Sequence, residues 1–272
     1  MAKTWFITGV SRGFGRLWAE AALERGDRVA ATARDVKSLA PLVEKYGDRI
    51  FPIALDVTDR AGDVAAVEVA HAKFGRLDIV INNAGYGQFG AIEELSEQEA
   101  RAQFEANLFG ALWITQAAIP LMREQKSGHI IQVSSIGGIV AFANVGIYNA
   151  SKWALEGFSD ALSQEVAPFG IHVTLVEPSG FSTDWGGSSA KHAAPLPAYE
   201  AARAARAERM KSNPQGEPEG SVQAILKLVD DKDPPLRHLL GSSAVKLATT
   251  TYPKRLETWK AWEPVSNAAD KA

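Results

Sequence analysis

Short apolar runs alternate with segments of helical spacing along most of the chain. The runs, which predict strands, lie at 4–8, 28–33, 49–57, 77–85, 129–135, 171–178 and 236–240. Several of them are almost continuously apolar, as strands buried on both faces are. The intervening segments repeat apolar residues every three or four positions, which predicts helices with one buried face. This alternation is typical of a doubly wound α/β domain, with a mostly parallel seven-stranded sheet and helices on both faces.

The predicted helices and one irregular segment complete this single domain, which we expect to span residues 1–272. Helices are predicted at 16–25, 36–46, 62–74, 97–126, 147–168, 199–210, 221–229 and 245–262. Residues 181–220 are rich in Gly, Ser, Pro and Ala, and long irregular excursions of this kind usually cover a binding site. We call them the covering segment. The last residues, 266–272, are expected to fray.

Composition excludes several classes of function, because 29 Lys and Arg residues against 32 Asp and Glu give a net charge of only −3. Without a broad basic field, we expect neither a nucleic-acid nor a membrane partner. The chain has no cysteine, which excludes disulfides and thiolate catalysis and fits a reducing compartment. We see no secretory signal and expect a cytoplasmic protein. The five histidines show no ligand spacing, so we expect no catalytic metal.

A glycine-rich loop, TGVSRGFG at 8–15, follows the first predicted strand and opens the first helix. Gly9, Gly13 and Gly15 allow a tight turn and let the backbone approach a pyrophosphate, whose charge then faces free N–H groups. A glycine triplet alone is weak evidence, and the alternative is a structural turn. Its position between strand and helix in the first βα unit predicts a Rossmann dinucleotide site, with Ser11 and Phe14 among its contacts.

Two arginines bear on which dinucleotide binds. The second predicted strand ends in Ala33-Arg34, without the carboxylate that usually holds the ribose 2′-hydroxyl of NAD. A 2′-phosphate needs cations, and Arg34, with Arg12 from the glycine loop, provides them. Asp35 is more simply a helix N-terminal acid. The alternative is that both arginines are solvated surface charges; we expect NADP(H).

Further cofactor contacts are expected where other strands end, because ligands bind at the carboxyl ends of strands in open parallel sheets. Asp56 and Val57 suit an adenine amino group and ring. Two motifs, NNAG at 82–85 and PSGFST at 178–183, follow later strands. Thr183 suits either a cofactor contact or an ordinary turn. The contacts expected from these two motifs are Asn83, Ala84, Gly85, Pro178, Gly180 and Thr183.

Tyr148 and Lys152 are four residues apart in a predicted helix and therefore share one face. A cation about 4 Å from the phenol, at an effective dielectric constant of about 20, is worth about 4 kcal/mol, enough to lower the phenol pKa from about 10 to about 7. Lys152, helped by the positive nicotinamide of the oxidised cofactor, can thus bring Tyr148 near neutrality, so that one residue serves as acid and base. Ser135, at the end of the preceding strand, can donate to a carbonyl oxygen, whereas Ser134 should face the other way. The alternative is a surface pair.

Taken in order, these motifs resemble the short-chain dehydrogenase/reductase superfamily. The resemblance covers about residues 3–183, and more loosely residues up to about 240. It implies that Tyr148 is the general acid/base, Lys152 its activator and ribose anchor, Ser135 the carbonyl-oxygen partner, and Asn107 the support of a water relay. One departure is Ser179, where the family commonly has Gly.

The resemblance implies an NADP(H)-dependent carbonyl reductase or alcohol dehydrogenase acting on a small-molecule carbonyl or alcohol. Helices 97–126 and 147–168 have broad apolar faces, and family members pair through such helices, so a homodimer or homotetramer is expected. A 3-oxoacyl thioester reductase and a non-catalytic NADP(H) sensor are the alternatives. Aromatic residues near the strand ends and in the covering segment favour a hydrophobic substrate; they are Tyr86, Phe89, Phe142, Phe181 and Trp185.

Overall fold

A seven-stranded parallel sheet forms the centre of the computed structural model, which describes residues 2–212 and 215–270, without the side chains of 209–212. The strands are β1 Thr4–Ile7, β2 Arg28–Ala33, β3 Ile50–Ala54, β4 Ile79–Asn82, β5 Gln88–Phe89, β6 Gly128–Val133, β7 Ile171–Pro178, β8 Lys191–His192 and β9 Arg237–Leu240. Seven of them pair side by side in the order β3-β2-β1-β4-β6-β7-β9, all parallel. The predicted doubly wound sheet is therefore confirmed.

The direction of winding reverses between β1 and β4. From β1 the chain proceeds outward through β2 to β3, then crosses back to place β4 on the other side of β1. The loops that leave β1 and β4 consequently run to opposite faces and open a cleft at the carboxyl edge of the sheet. This cleft is where the sequence places its glycine-rich loop.

Helices cover both faces of the sheet. They are α1 Gly13–Glu24, α2 Ala40–Tyr46, α3 Arg60–Phe74, α4 Glu97–Phe104, α5 Gly110–Gln125, α6 Gly146–Val166, α7 Glu200–Ser212, α8 Ser221–Asp230 and α9 Ser242–Ala268. On one face, fully buried Trp18 of α1 and Ile225 of α8 pack with the sheet. On the other face, Val67 of α3, Ile114 of α5 and Leu162 of α6 do the same. The two apolar layers hold the sheet rigid beneath the cleft.

The structure departs from the predicted elements in a few places. The helix predicted at 97–126 is interrupted by a π-helical turn, Glu105–Phe109, and a two-stranded sheet of β5 and β8 was not predicted. The expectation that residues 266–272 fray is wrong for its first part, because α9 continues to Ala268. Residues 271–272 lie outside the described part of the chain.

Asp63 of α3 is a fully buried acid, and neither carboxyl oxygen finds a hydrogen-bond partner in the described part of the chain. Burial, then the charges of Asp59 and Asp56, raises its pKa to about 8. The folded state therefore holds this proton more tightly than the unfolded chain. The contribution of Asp63 to stability is therefore greatest in acid and falls as pH rises from about 4 to about 8.

We predict that Asp63→Asn removes this loss of stability, because the neutral amide has nothing to ionise. The variant should match the parent near pH 4 and exceed it at pH 8 by about 5 kcal/mol or less in free energy of unfolding. Urea titrations across this range give the measurement. Asp48→Asn, at an exposed position, is the control and should follow the parent. Parallel stability curves for parent and Asp63→Asn would contradict the account.

Candidate active site

A cavity of about 1280 Å³ opens at the carboxyl edge of the sheet. It is bounded by the loops after β1, β2, β3, β4, β6 and β7 and by the covering segment. The residues predicted to contact a cofactor line it with one exception, Gly15. Those that line it are Gly9, Ser11, Arg12, Gly13, Phe14, Arg34, Asp56, Val57, Asn83, Ala84, Gly85, Tyr148, Lys152, Pro178, Gly180 and Thr183.

The glycine-rich loop has the backbone that its sequence predicts. Gly9 and Gly13 adopt φ values of +71° and +59°, which residues other than glycine rarely adopt. Gly15 has a different task from the predicted approach to a pyrophosphate, because it is buried behind the loop. A Cβ on Gly15 would lie 2.5 Å from Asn83 Nδ2 and 2.6 Å from the Gly9 carbonyl oxygen. It therefore allows α1 to pack closely on the ends of β1 and β4.

Thr8 and Asn83 lock the ends of β1 and β4 together. Asn83 Nδ2 donates to the carbonyl oxygens of Thr8 at 2.8 Å and Gly9 at 3.2 Å. The Thr8 hydroxyl accepts from the backbone N–H groups of Asn83 and Ala84, each at 2.9 Å. The Asn83 side chain thus shapes the loop and leaves the backbone of residues 83–85 to face the cavity. Thr8 was missed from the sequence, although a hydroxyl residue directly before the first loop glycine was the available signal.

The charged end of the cavity holds both arginines. Arg34 is exposed and forms no hydrogen bond or ion pair within the described residues. Arg12 is engaged by the covering segment, since its Nη1 donates to Ser188 Oγ at 2.8 Å and lies 3.8 Å from Asp184 Oδ2. Asp56 accepts from Thr58, from its N–H at 3.1 Å and its hydroxyl at 2.9 Å. One carboxylate oxygen of Asp56 thus orders its own turn.

Tyr148 and Lys152 lie on the cavity-facing side of α6, with only 7% and 6% of their surfaces exposed. The Trp185 ring of the covering segment packs on Tyr148, with centroids 4.9 Å apart. Burial raises the pKa of Tyr148 to about 12, and a hydrogen bond with Ser135 acts in the opposite direction. Lys152 Nζ donates to the Val133 carbonyl oxygen at 2.8 Å. Burial lowers the pKa of Lys152 to about 8, against the charge of Glu156, which raises it.

Lys152 alone does not bring the phenol near neutrality; that expectation also relies on the positive nicotinamide of the oxidised cofactor and stays a prediction. Lys152 Nζ lies 5.9 Å from the centre of the Tyr148 ring, and its nearest bond is to a backbone carbonyl. Desolvation acts on both groups and favours the neutral form of each. Its effect on the phenol pKa outweighs the attraction expected from a lysine about 4 Å away.

Asn107 lies in the π-helical turn and is 2% exposed, beneath the cavity rather than on its wall. Its amide exchanges hydrogen bonds with the backbone of Tyr86, donating at 3.0 Å and accepting at 3.1 Å, and donates to Ser151 Oγ at 3.2 Å. A Cβ on Gly85 would meet both Asn107 Oδ1, at 3.0 Å, and Lys152 Nζ, at 3.8 Å. The two side chains therefore approach the same glycine.

The covering segment closes the cavity with aromatic and basic side chains. The aromatic residues predicted near the substrate all line the cavity; they are Tyr86, Phe89, Phe142, Phe181 and Trp185. Strand β8 of the covering segment pairs with β5, and its His192 stacks on Phe89 with ring centroids 5.0 Å apart. Lys191 Nζ lies 4.6 Å from the Tyr86 ring centre and Arg206 Cζ 5.7 Å from that of Phe89. These basic residues were missed, because their pairing with β5 is not visible in sequence.

Thr183 and Ser179 have local roles in the loop after β7. Thr183 Oγ1 accepts from the N–H of Trp185 at 3.4 Å and so caps the turn that carries this ring. Ser179, the departure from the family pattern, donates its N–H to the Leu240 carbonyl oxygen at 3.0 Å. That backbone bond ties the loop to the end of β9 whichever residue stands at 179, and the serine hydroxyl donates to the same oxygen at 3.5 Å.

The described residues contain no group of three or more His, Asp or Glu side chains arranged to hold a metal ion. Over the same part of the chain, none of the helices combines the length and apolar character that crossing a bilayer requires.

Comparisons with known proteins agree with this geometry. A family model described as short chain dehydrogenase matches residues 3–194. Oxidoreductase BOA17 of Botryotinia fuckeliana is 48% identical over 252 residues, covering 91% of this chain and 92% of that protein. The crystal structure of a short-chain dehydrogenase from Streptomyces avermitilis has a TM-score of 0.93 at 41% identity, covering 99% of both chains.

A short chain dehydrogenase from Burkholderia cenocepacia, solved in complex with NADP, is 26% identical with a TM-score of 0.77, covering 96% of this chain and 97% of that one. Family model, relative and solved structures agree over most of the chain. The glycine-rich loop and the Ser135, Tyr148 and Lys152 cluster fall within the matched residues. This chain therefore belongs to the short-chain dehydrogenase family.

Proposed function

We propose that this oxidoreductase uses NADP(H) to interconvert a hydrophobic ketone or aldehyde and its alcohol. One observation carries the proposal: Ser135, Tyr148 and Lys152 line one wall of the cavity whose other end is the glycine-rich loop. An acid/base group and a dinucleotide site thus share one space. When bound, the nicotinamide would supply or accept the hydride.

The residues around the loop fit a dinucleotide phosphate. A positive φ at Gly9 and at Gly13 exposes backbone N–H groups at the start of α1, where the helix dipole favours an anion. Arg34, which has no ion-pair partner in the described part of the chain, and Arg12 would hold a 2′-phosphate. Lys152 would anchor the ribose. The missing carboxylate at the end of β2 favours NADP(H) over NAD(H).

Tyr148 would act as the proton donor during reduction. Because its pKa is about 12, the phenol is fully protonated at neutral pH and can transfer its proton to the carbonyl oxygen as hydride reaches the carbonyl carbon. The Ser135 hydroxyl would hydrogen-bond the same oxygen and stabilise its developing charge. The Lys152 ammonium would then stabilise the phenolate, which returns to the phenol by taking a proton from water. Asn107 would support that relay through its fixed amide beside Gly85.

The aromatic wall supports an apolar substrate. Tyr86, Phe89, Phe142 and Trp185 present large apolar surfaces to the cavity, which favour the transfer of hydrocarbon from water. The runner-up, a 3-oxoacyl thioester reductase, gains support from Lys191 and Arg206, whose charges suit a phosphorylated carrier. A non-catalytic sensor is less favoured, because binding alone does not call for an acid beside a lysine.

We predict that Tyr148→Phe lowers NADPH-dependent carbonyl reduction by about 10²- to 10⁴-fold, since the proton donor is lost. NADPH absorbance against a panel of apolar ketones and aldehydes measures turnover, and NADPH fluorescence measures binding, which should persist. Tyr252→Phe, on the exposed face of α9, is the matched control. Cofactor binding with no turnover of any substrate by the parent would favour the sensor.

We predict that Arg34→Asp lowers the preference for NADPH over NADH by about 100-fold or more, because a repulsive carboxylate replaces a phosphate partner. Binding constants for the two cofactors give the measurement without requiring a substrate. Arg101→Asp makes the same charge change on the exposed face of α4 and should leave the preference intact. An unchanged preference in Arg34→Asp would refute the assignment.

A further inference from the structure

A pair of buried carboxyl groups lies behind the proposed catalytic residues. Glu156 of α6 and Glu177 of β7 are 5% and 1% exposed. Arg237 of β9 reaches them from the surface, with its Nε 3.0 Å from Glu156 Oε2 and 3.8 Å from Glu177 Oε1. We call Glu156 and Glu177 the carboxyl pair. Two acids therefore face one cation in the interior.

The carboxyl pair holds one proton. Burial raises the pKa of both groups, and the charge of Glu156 raises that of Glu177 further. Arg237 lies closer to Glu156, at 3.0 Å, than to Glu177, at 3.8 Å, and therefore favours the charge on Glu156. Two like charges in one desolvated site oppose each other, and the pKa of Glu177 is raised to about 8. We therefore take Glu177 as the neutral member at pH 7 and Glu156, in closer contact with Arg237, as the charged one.

Glu156 is connected to the proposed catalytic lysine. It lies one helical turn after Lys152, on the same face of α6, and its charge raises the pKa of Lys152 against the effect of burial. Its side chain also lies near Ser134, which directly follows β6. A Cβ on Gly138 would lie 2.6 Å from Ser134 Oγ and 3.1 Å from Glu156 Oε1. Only glycine at 138 leaves room for that carboxyl group.

Few other charges face this cluster. On α6, Asp160 accepts from Arg237 Nη2 at 2.9 Å, but its side chain is 43% exposed and therefore screened by water. On β9, burial lowers the pKa of His238, which is neutral at pH 7. Tyr148 and Lys152 complete the set on the cavity side. Glu156 is thus the buried anion that acts on Lys152.

We propose that Glu156 is a positioning residue of this reaction: held charged by Arg237 and by the proton on Glu177, it keeps Lys152 protonated and so sets the pH range in which Tyr148 works. This role rests on the proposed function. A purely structural ion pair with Arg237 needs only one acid, whereas a second buried acid adds a desolvation cost. The second acid fits this role because, when protonated, Glu177 does not repel the charge on Glu156.

The sign of the effect follows from electrostatics. Tyr148 and Lys152 each leave the site more negative when they lose a proton, and a nearby carboxylate opposes both losses. Removing the charge of Glu156 should therefore move both titrations to lower pH.

The test is an ultraviolet titration of the Tyr148 phenolate in the NADP⁺ complex, read as the difference between each protein and the same protein with Tyr148→Phe. We expect Glu156→Gln to lower the midpoint by about half a pH unit or more. Where cyclohexanol is oxidised, both limbs of the kcat/KM profile should move the same way. Glu156→Asp, which keeps the charge, should restore most of the midpoint.

Two comparisons separate this role from general effects. Asp160→Asn removes the exposed acid from the same arginine and should leave the midpoint in place. Glu177→Gln, whose amide mimics a neutral carboxyl group, should also leave it in place and should remove one infrared band of a buried protonated acid, while the band of Asp63 remains. The Glu177→Gln arm remains readable if Glu156→Gln does not fold.

Three outcomes would overturn the inference. One is a Glu156→Gln midpoint equal to that of the parent, and another is an equal shift in Asp160→Asn. The third is a set of buried-acid infrared bands that Glu177→Gln leaves unchanged. Because the ultraviolet and infrared readouts need no turnover, these outcomes are distinct from failure of the proposed function, in which no carbonyl compound or alcohol reacts at all.

Discussion

Removal of water from Tyr148 and Lys152 is the constraint on which the site depends. Both side chains are almost fully buried, one under the ring of Trp185 and the other against the end of β6. Desolvation moves their pKa values apart, to about 12 and about 8, so each favours its neutral form. A phenol in this state donates its proton readily only if a nearby positive charge stabilises the phenolate that forms. The charges around Lys152 therefore decide what chemistry the site can perform.

The architecture brings these groups together from distant parts of the chain. The reversal between β1 and β4 opens the cleft, and the lock between Thr8 and Asn83 fixes its floor. The order β6-β7-β9 then places Glu177 and Arg237 beside α6, directly behind Lys152. The same strands that form the wall of the cavity thus supply the buried charges behind it. A rigid sheet packed on both faces keeps these distances fixed.

Much of this arrangement was visible in the sequence, and the remainder follows from tertiary contacts. Apolar periodicity and the glycine-rich loop are local patterns, so they predicted the sheet, most helices and the position of the cleft. The π-helical turn at Asn107 was not predictable, since it depends on bonds to Tyr86 across the loop. The rise of the phenol pKa on burial was not predictable either, because the contact with Trp185 is a tertiary effect. The position of Glu156, four residues after Lys152, indicated that the two share a helix face. Its contacts with Glu177 and Arg237 depend on the order of the strands and were not predictable.

The central claim is that Lys152 is a desolvated cation whose proton is loosely held. Nitrogen NMR of lysine-labelled protein tests it directly, with Lys152→Met to assign the resonance. The account predicts that one ammonium titrates near pH 8, well below the ordinary value of 10.5, and is absent from the variant. A Lys152 resonance that titrates with the surface lysines would contradict it.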